Sequence, residues 1–76
     1  MSDGARVRAT ELLRILRRRA GKLSVPHDEI AGAGSHLKVR HGGRATVIPM
    51  HRGDLPAGTF RAILKQLGLT EQDLEV

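Results

Sequence analysis

The sequence predicts an α+β fold, ordered α-β-β-β-α, with the helices packed on one face of a three-stranded antiparallel sheet. Three observations carry that expectation. Apolar residues recur at helical spacing near both ends of the chain, alternating runs lie between them, and Gly42-Gly43 divides two of those runs as a hairpin would.

The first helix opens near Thr10. Ala9, Leu12, Leu13, Leu16 and Ala20 fall at i, i+3, i+4, i+7 and i+11, which makes one apolar stripe. Thr10 is placed to cap the helix and Gly21 to end it. Arg14, Arg17 and Arg18, with Arg19 near the boundary, read as a solvated face. Leu23 and Val25 alternate before Pro26, which predicts a short edge strand there. Residues 26 to 34, with Gly32 and Gly34, then read as a loop.

Two strands are expected at Ser35 to Arg40 and Arg44 to Ile48. If Gly42-Gly43 alone forms the loop, His41 opposes Arg44, and Leu37 and Val39 share a face with Thr46 and Ile48. If residues 41 to 43 form the loop, Arg40 opposes Arg44, and Leu37 and Val39 oppose Val47 and Ala45. The second register separates polar from apolar side chains better and is the one expected. It puts His36, Lys38 and Arg40 on the open face together with Arg44 and Thr46.

After Pro49 a connecting loop carries His51. Phe60, Ile63, Leu64 and Leu67 then fall at i, i+3, i+4 and i+7, and Gly68 followed by Leu69 is a typical helix stop. Thr70 with Asp73 reads as a capping box for a last short turn. Seventy-six residues suit one domain, 1–76, with a core over about 9–69 and a short acidic tail, 70–76.

Charge narrows the choice of partner. The chain carries 13 Lys and Arg against 8 Asp and Glu, a net +5. Glu71, Asp73 and Glu75 crowd the last six residues, so residues 1 to 70 hold all 13 basic groups and only 5 acidic ones. Such a field suits a polyanion, and nucleic acid is the first candidate. Phe60 is the only aromatic residue, which leaves no stacking platform, so binding should lean on phosphates and shape. The last long helix offers only Arg61, Lys65 and Gln66 on its polar side, thin for reading a DNA major groove.

The absence of cysteine excludes disulfides and thiolate zinc sites and fits a reducing, cytoplasmic location. No stretch approaches the roughly 20 apolar residues of a membrane span, so neither a membrane nor a visible export signal is expected. The four histidines form no helical i, i+4 pair and no cluster with carboxylates, so no metal site is expected. His27 and His41 read as loop or turn residues without a partner.

Gly34-Ser35-His36, the hairpin ending Thr46-Val47-Ile48-Pro49, and the run Gly58-Thr59-Phe60-Arg61-Ala62-Ile63-Leu64-Lys65-Gln66-Leu67-Gly68-Leu69 resemble the HicA family of toxin components. The likeness covers roughly residues 34 to 69. It departs from the family where Gly21 is followed by Lys22 rather than an aromatic residue, and residues 26 to 33 look long. The resemblance implies a double-stranded-RNA-binding-like fold and a cofactor-free endoribonuclease that cleaves mRNA, the toxin of a type II toxin-antitoxin system. It also implies neutralisation by a HicB-type antitoxin protein. The family's catalytic histidine matches His36.

Chemistry agrees with that match. RNA supplies its own nucleophile, the 2′-hydroxyl, so a nuclease without metal needs a base and nearby cations. His36 is the expected base, with Ser35, Lys38, Arg40 and Arg44 as RNA-binding residues and His51 as an assisting group. No small-molecule cofactor is called for. The rival reading is a noncatalytic RNA-binding module of the same fold.

Overall fold

The computed structural model describes residues 7–32, 34–50 and 53–76. The elements run α1 (Ala9–Leu23), β1 (His27–Ala31), β2 (His36–His41), β3 (Arg44–Pro49), α2 (Ala57–Leu67) and a 3-10 turn, η1 (Glu71–Leu74). The strands form one antiparallel sheet in the order β1-β2-β3. Both helices pack on the same face, α1 over β1 and α2 over β3, and among the described residues the opposite face is open. The α-β-β-β-α order and the helix-covered antiparallel sheet are those the sequence predicts.

The apolar stripes behave as their spacing requires. Ala9, Leu12, Leu13 and Leu16 of α1 and Phe60, Ile63, Leu64 and Leu67 of α2 are buried against Val39, Ile48 and Leu55. A buried aliphatic side chain of this kind contributes about 1.5–3 kcal/mol. Leu37, Met50, Leu69 and Leu74 close over the rim of the core.

Several boundaries differ from expectation. Thr10 lies inside α1 and does not cap it; Arg8 holds the N-cap position without a side-chain bond, and its carbonyl accepts from the Leu12 N–H at 2.9 Å. Nor does Gly21 end the helix. α1 continues to Leu23 and stops at Ser24, which takes the left-handed conformation, φ 54°, while the Val25 N–H reaches back to the Ala20 carbonyl at 3.0 Å. A mid-helix glycine costs only about 1 kcal/mol relative to alanine, which tertiary contacts beyond it can offset.

The first strand follows Pro26 instead of preceding it. Leu23 belongs to α1, and residues expected as loop, 27 to 31, form β1. The sequence His27-Asp28-Glu29-Ile30-Ala31 looks unlike a half-buried strand because its inward side chains, His27 and Glu29, are satisfied by polar partners.

The hairpin uses the two-residue loop. His41 pairs with Arg44, Arg40 with Ala45, Val39 with Thr46 and Leu37 with Ile48, so the expected register is overturned. Gly42 and Gly43 both take positive φ, 63° and 84°, as the tightest right-twisting hairpin turn demands. Polarity misled because Thr46 is buried and donates to Gln66 Oε1 on α2, while Val47 is half exposed on the open face.

The end of the chain matches expectation. Gly68 is left-handed, φ 71°, and the Leu69 N–H reaches the Leu64 carbonyl at 2.9 Å. The Thr70–Asp73 capping box opens η1. The Asp73 carboxyl is held below its ordinary value by the Thr70 backbone N–H and then the Thr70 hydroxyl.

Candidate active site

Strand alternation decides what β2 presents to each side. His36, Lys38 and Arg40 are exposed on the open face, whereas Leu37, Val39 and His41 point toward the helices. Three consecutive same-face positions start roughly 7 Å apart, within reach of adjacent phosphates on one chain. Among the described residues the side chains of His36, Lys38 and Arg40 make no hydrogen bond or ion pair. All three are available to a ligand.

The backbone at His36 is tied on both sides. The Gly32 N–H donates to the His36 carbonyl at 3.0 Å, and the Met50 N–H donates to the Ser35 carbonyl. A Cβ at Gly32 would sit 3.1 Å from that His36 oxygen, and Gly34 takes φ 63°. Glycine at both positions therefore lets the β1–β2 turn close tightly behind Ser35 and His36. Ser35 is exposed beside the histidine at the strand's mouth.

Around Lys38 the open face is apolar. Ile30 and Val47, its cross-strand neighbours on either side, are 51% and 50% exposed. Asp28 and Ala45 flank Arg40 in the same way. An open groove of about 540 Å³ runs over the β3 edge, lined by Lys38, Ala45, Thr46, Val47 and Gln66.

Arg44 does not join this face. The two-residue loop turns it toward the helix side, where its stem lies over Gly68. Thr46 also leaves the expected open-face group and is buried. His51 lies outside the described residues.

The sequence reading missed a second constellation, at the other end of β2. His41 is 1% exposed and pairs across the sheet with His27. Their Nδ1 atoms are 3.0 Å apart. His27 Nε2 meets Glu29 Oε2 at 2.7 Å, and Arg17 grips both Glu29 oxygens at 2.7 and 2.6 Å. Arg19 meets His41 Nε2 at 3.1 Å. The bidentate guanidinium lowers the Glu29 carboxyl to about 2, with burial opposing and His27 assisting. Burial first, then the neighbouring His27 and Arg19, push His41 below the ordinary imidazole value. Alternation in the two-residue register, which extends β2 to His41, is the signal that would have turned His41 inward with Leu37 and Val39; the sequence carried no such signal for His27.

Among the described residues no cluster of three or more His, Asp or Glu side chains is arranged to hold a metal ion. No helix there is long and apolar enough to cross a membrane. A family model described as HicA toxin of bacterial toxin-antitoxin matches residues 10–69. No curated protein matches the chain significantly.

Proposed function

The chain belongs to the HicA toxin family of bacterial toxin-antitoxin systems, and on that premise we propose that it is a metal-independent endoribonuclease that cleaves mRNA with His36 as base. The observation that supports this reading most is the exposure of His36 in line with Lys38 and Arg40, on a sheet face that no element among the described residues covers. In the reaction, His36 takes the proton of a ribose 2′-hydroxyl. The freed 2′-oxygen attacks the adjacent phosphorus, the bond to the 5′-oxygen breaks, and a 2′,3′-cyclic phosphate forms. The departing 5′-oxygen takes a proton from solvent or from His51.

Lys38 and Arg40 hold phosphate oxygens as negative charge builds on them, and Ser35 adds a hydroxyl beside the base. Arg44, on the other face, contacts RNA only where the backbone passes the hairpin end. A HicB-type antitoxin protein blocks the reaction by covering the open face, where Ile30 and Val47 offer apolar contact around Lys38. The setting is the bacterial cytoplasm, where mRNA and antitoxin meet the toxin.

The test compares wild type with His36→Ala, both expressed in bacteria and incubated as purified proteins with RNA. Growth arrest and cleavage by wild type alone are expected. RNA binding by both with cleavage by neither would establish the noncatalytic module instead.

A further inference from the structure

The histidine pair at the far end of β2 has no part in the proposed cleavage, since His41 lies five strand positions from His36, about 17 Å. Its hydrogen bonds nevertheless dictate every proton in it. Arginine only donates, so His41 Nε2, 3.1 Å from Arg19, must be the bare, accepting nitrogen. His41 then carries its proton on Nδ1 and donates to His27 Nδ1 at 3.0 Å. That leaves His27 protonated on Nε2, donating to Glu29, which Arg17 holds from its other side. Both rings are neutral, and the chain runs one way from Arg19 to Glu29.

One additional proton breaks this chain wherever it lands. On His27 Nδ1 it faces the N–H of His41. On His41 Nε2 it faces the Arg19 guanidinium. The arrangement that sacrifices least charges His27 between Glu29 and His41, turns His41 to its Nε2–H form, and expels Arg19. The bond from Arg19 to His41 joins helix to strand, so its rupture loosens the two elements from each other.

The apolar anchoring of α1 makes that rupture matter. Of its buried residues, Ala9, Leu12, Leu13 and Leu16, none lies beyond the midpoint, and Leu23 at its end is 53% exposed. Beyond Leu16 the helix is held to the sheet by the polar contacts of Arg17 with Glu29 and Arg19 with His41, and η1 packs against it as well. Charged groups around the pair are Arg17 and Arg19 from α1, Glu29 from β1, Arg44 from β3, and Asp73 of η1, which acts on Arg19. Arg19 also keeps a buried Nε without a partner, so its hold on His41 is not backed by a second bond from that atom.

We infer that His27 and His41 form a proton-operated latch, which fastens Arg19 and the last turn of α1 to the sheet when both rings are neutral and frees that turn, while Arg17 stays on Glu29, when one proton is taken up. It is separate from the nuclease reading and stands or falls without it.

The wild-type protein tests this directly by ¹⁵N NMR of the imidazoles, with amide hydrogen exchange followed from about pH 7.5 to about pH 5.5. At the higher pH, His41 should be the Nδ1–H tautomer and His27 the Nε2–H tautomer. On acidification, protection of the amides of residues 19 to 23 should fall at least roughly tenfold, with β2 and α2 amides changing less than about twofold. His27→Gln, which cannot take up the proton, should show little of that change. Different tautomers at the higher pH, unchanged protection across the range, or an undiminished response in His27→Gln would each overturn the latch. Should His27→Gln fail to fold, the wild-type tautomers and protection still decide.

Discussion

Single residues carry the sharpest consequences. Gly32 approaches the His36 carbonyl so closely that an added methyl must push the turn away by a few tenths of an ångström. Gly32→Ala should slow cleavage by about three- to tenfold, because small displacements of a catalytic group are costly, while far-UV circular dichroism stays unchanged. Gly68→Ala acts on stability instead. Its left-handed φ of 71° penalises a side chain, and the Arg44 stem overlying it must move, so denaturant unfolding should show a loss of about 1–2 kcal/mol. Glu29 gives a pH signature. Its carboxyl lies near 2 in the folded protein against an ordinary 4.5, so its contribution is full above about 4.5 and fades as pH falls through about 2. Glu29→Gln should therefore destabilise the protein at neutral pH, with the difference from wild type vanishing near pH 2. A difference that persisted there would remove the ionic pairing with Arg17 as its source.

At the level of elements, the helix stops differ in quality. Gly68 ends α2 with the residue suited to a left-handed position, whereas Ser24 ends α1 with one that is strained there. Ser24→Gly should raise stability by roughly 0.5 kcal/mol, the relieved strain exceeding glycine's extra chain entropy, and thermal melting reads it. The same elements explain what the sequence could reveal. α2 was legible because its stripe, stop glycine and following leucine all agree, and η1 because Thr70 and Asp73 sit at capping-box spacing. The exposed positions of His36, Lys38 and Arg40 were legible too, since their shared parity on β2 does not depend on the hairpin register. β1 was not, because an edge strand whose inward positions are His27 and Glu29 has no apolar alternation to betray it. Arg44 went to the wrong face for a related reason: sorting by polarity rejects a register that buries Thr46 and His41 and exposes Val47. Buried polar groups that find partners elsewhere in the fold are invisible to such sorting.

At the scale of the whole molecule, a basic chain joins a sheet face left uncovered among the described residues. If RNA docks there, binding should weaken steeply with salt, and Lys38→Ala or Arg40→Ala should each reduce the slope of log affinity against log salt by about 0.7 for a single strand. An unchanged slope would place the RNA on another surface. Association with a HicB-type antitoxin should bury Ile30 and Val47, so Val47→Glu should weaken the complex while leaving the isolated toxin folded. The central claim, that His36 removes the 2′-hydroxyl proton, is tested most directly by single-turnover cleavage of a defined mRNA by wild type and His36→Ala in excess chelator. Wild type should yield 2′,3′-cyclic phosphate ends at a rate rising from about pH 5 to about pH 8, and His36→Ala should be slower by at least about a hundredfold. Equal rates for the two proteins, or a wild-type rate that falls as pH rises, would contradict it.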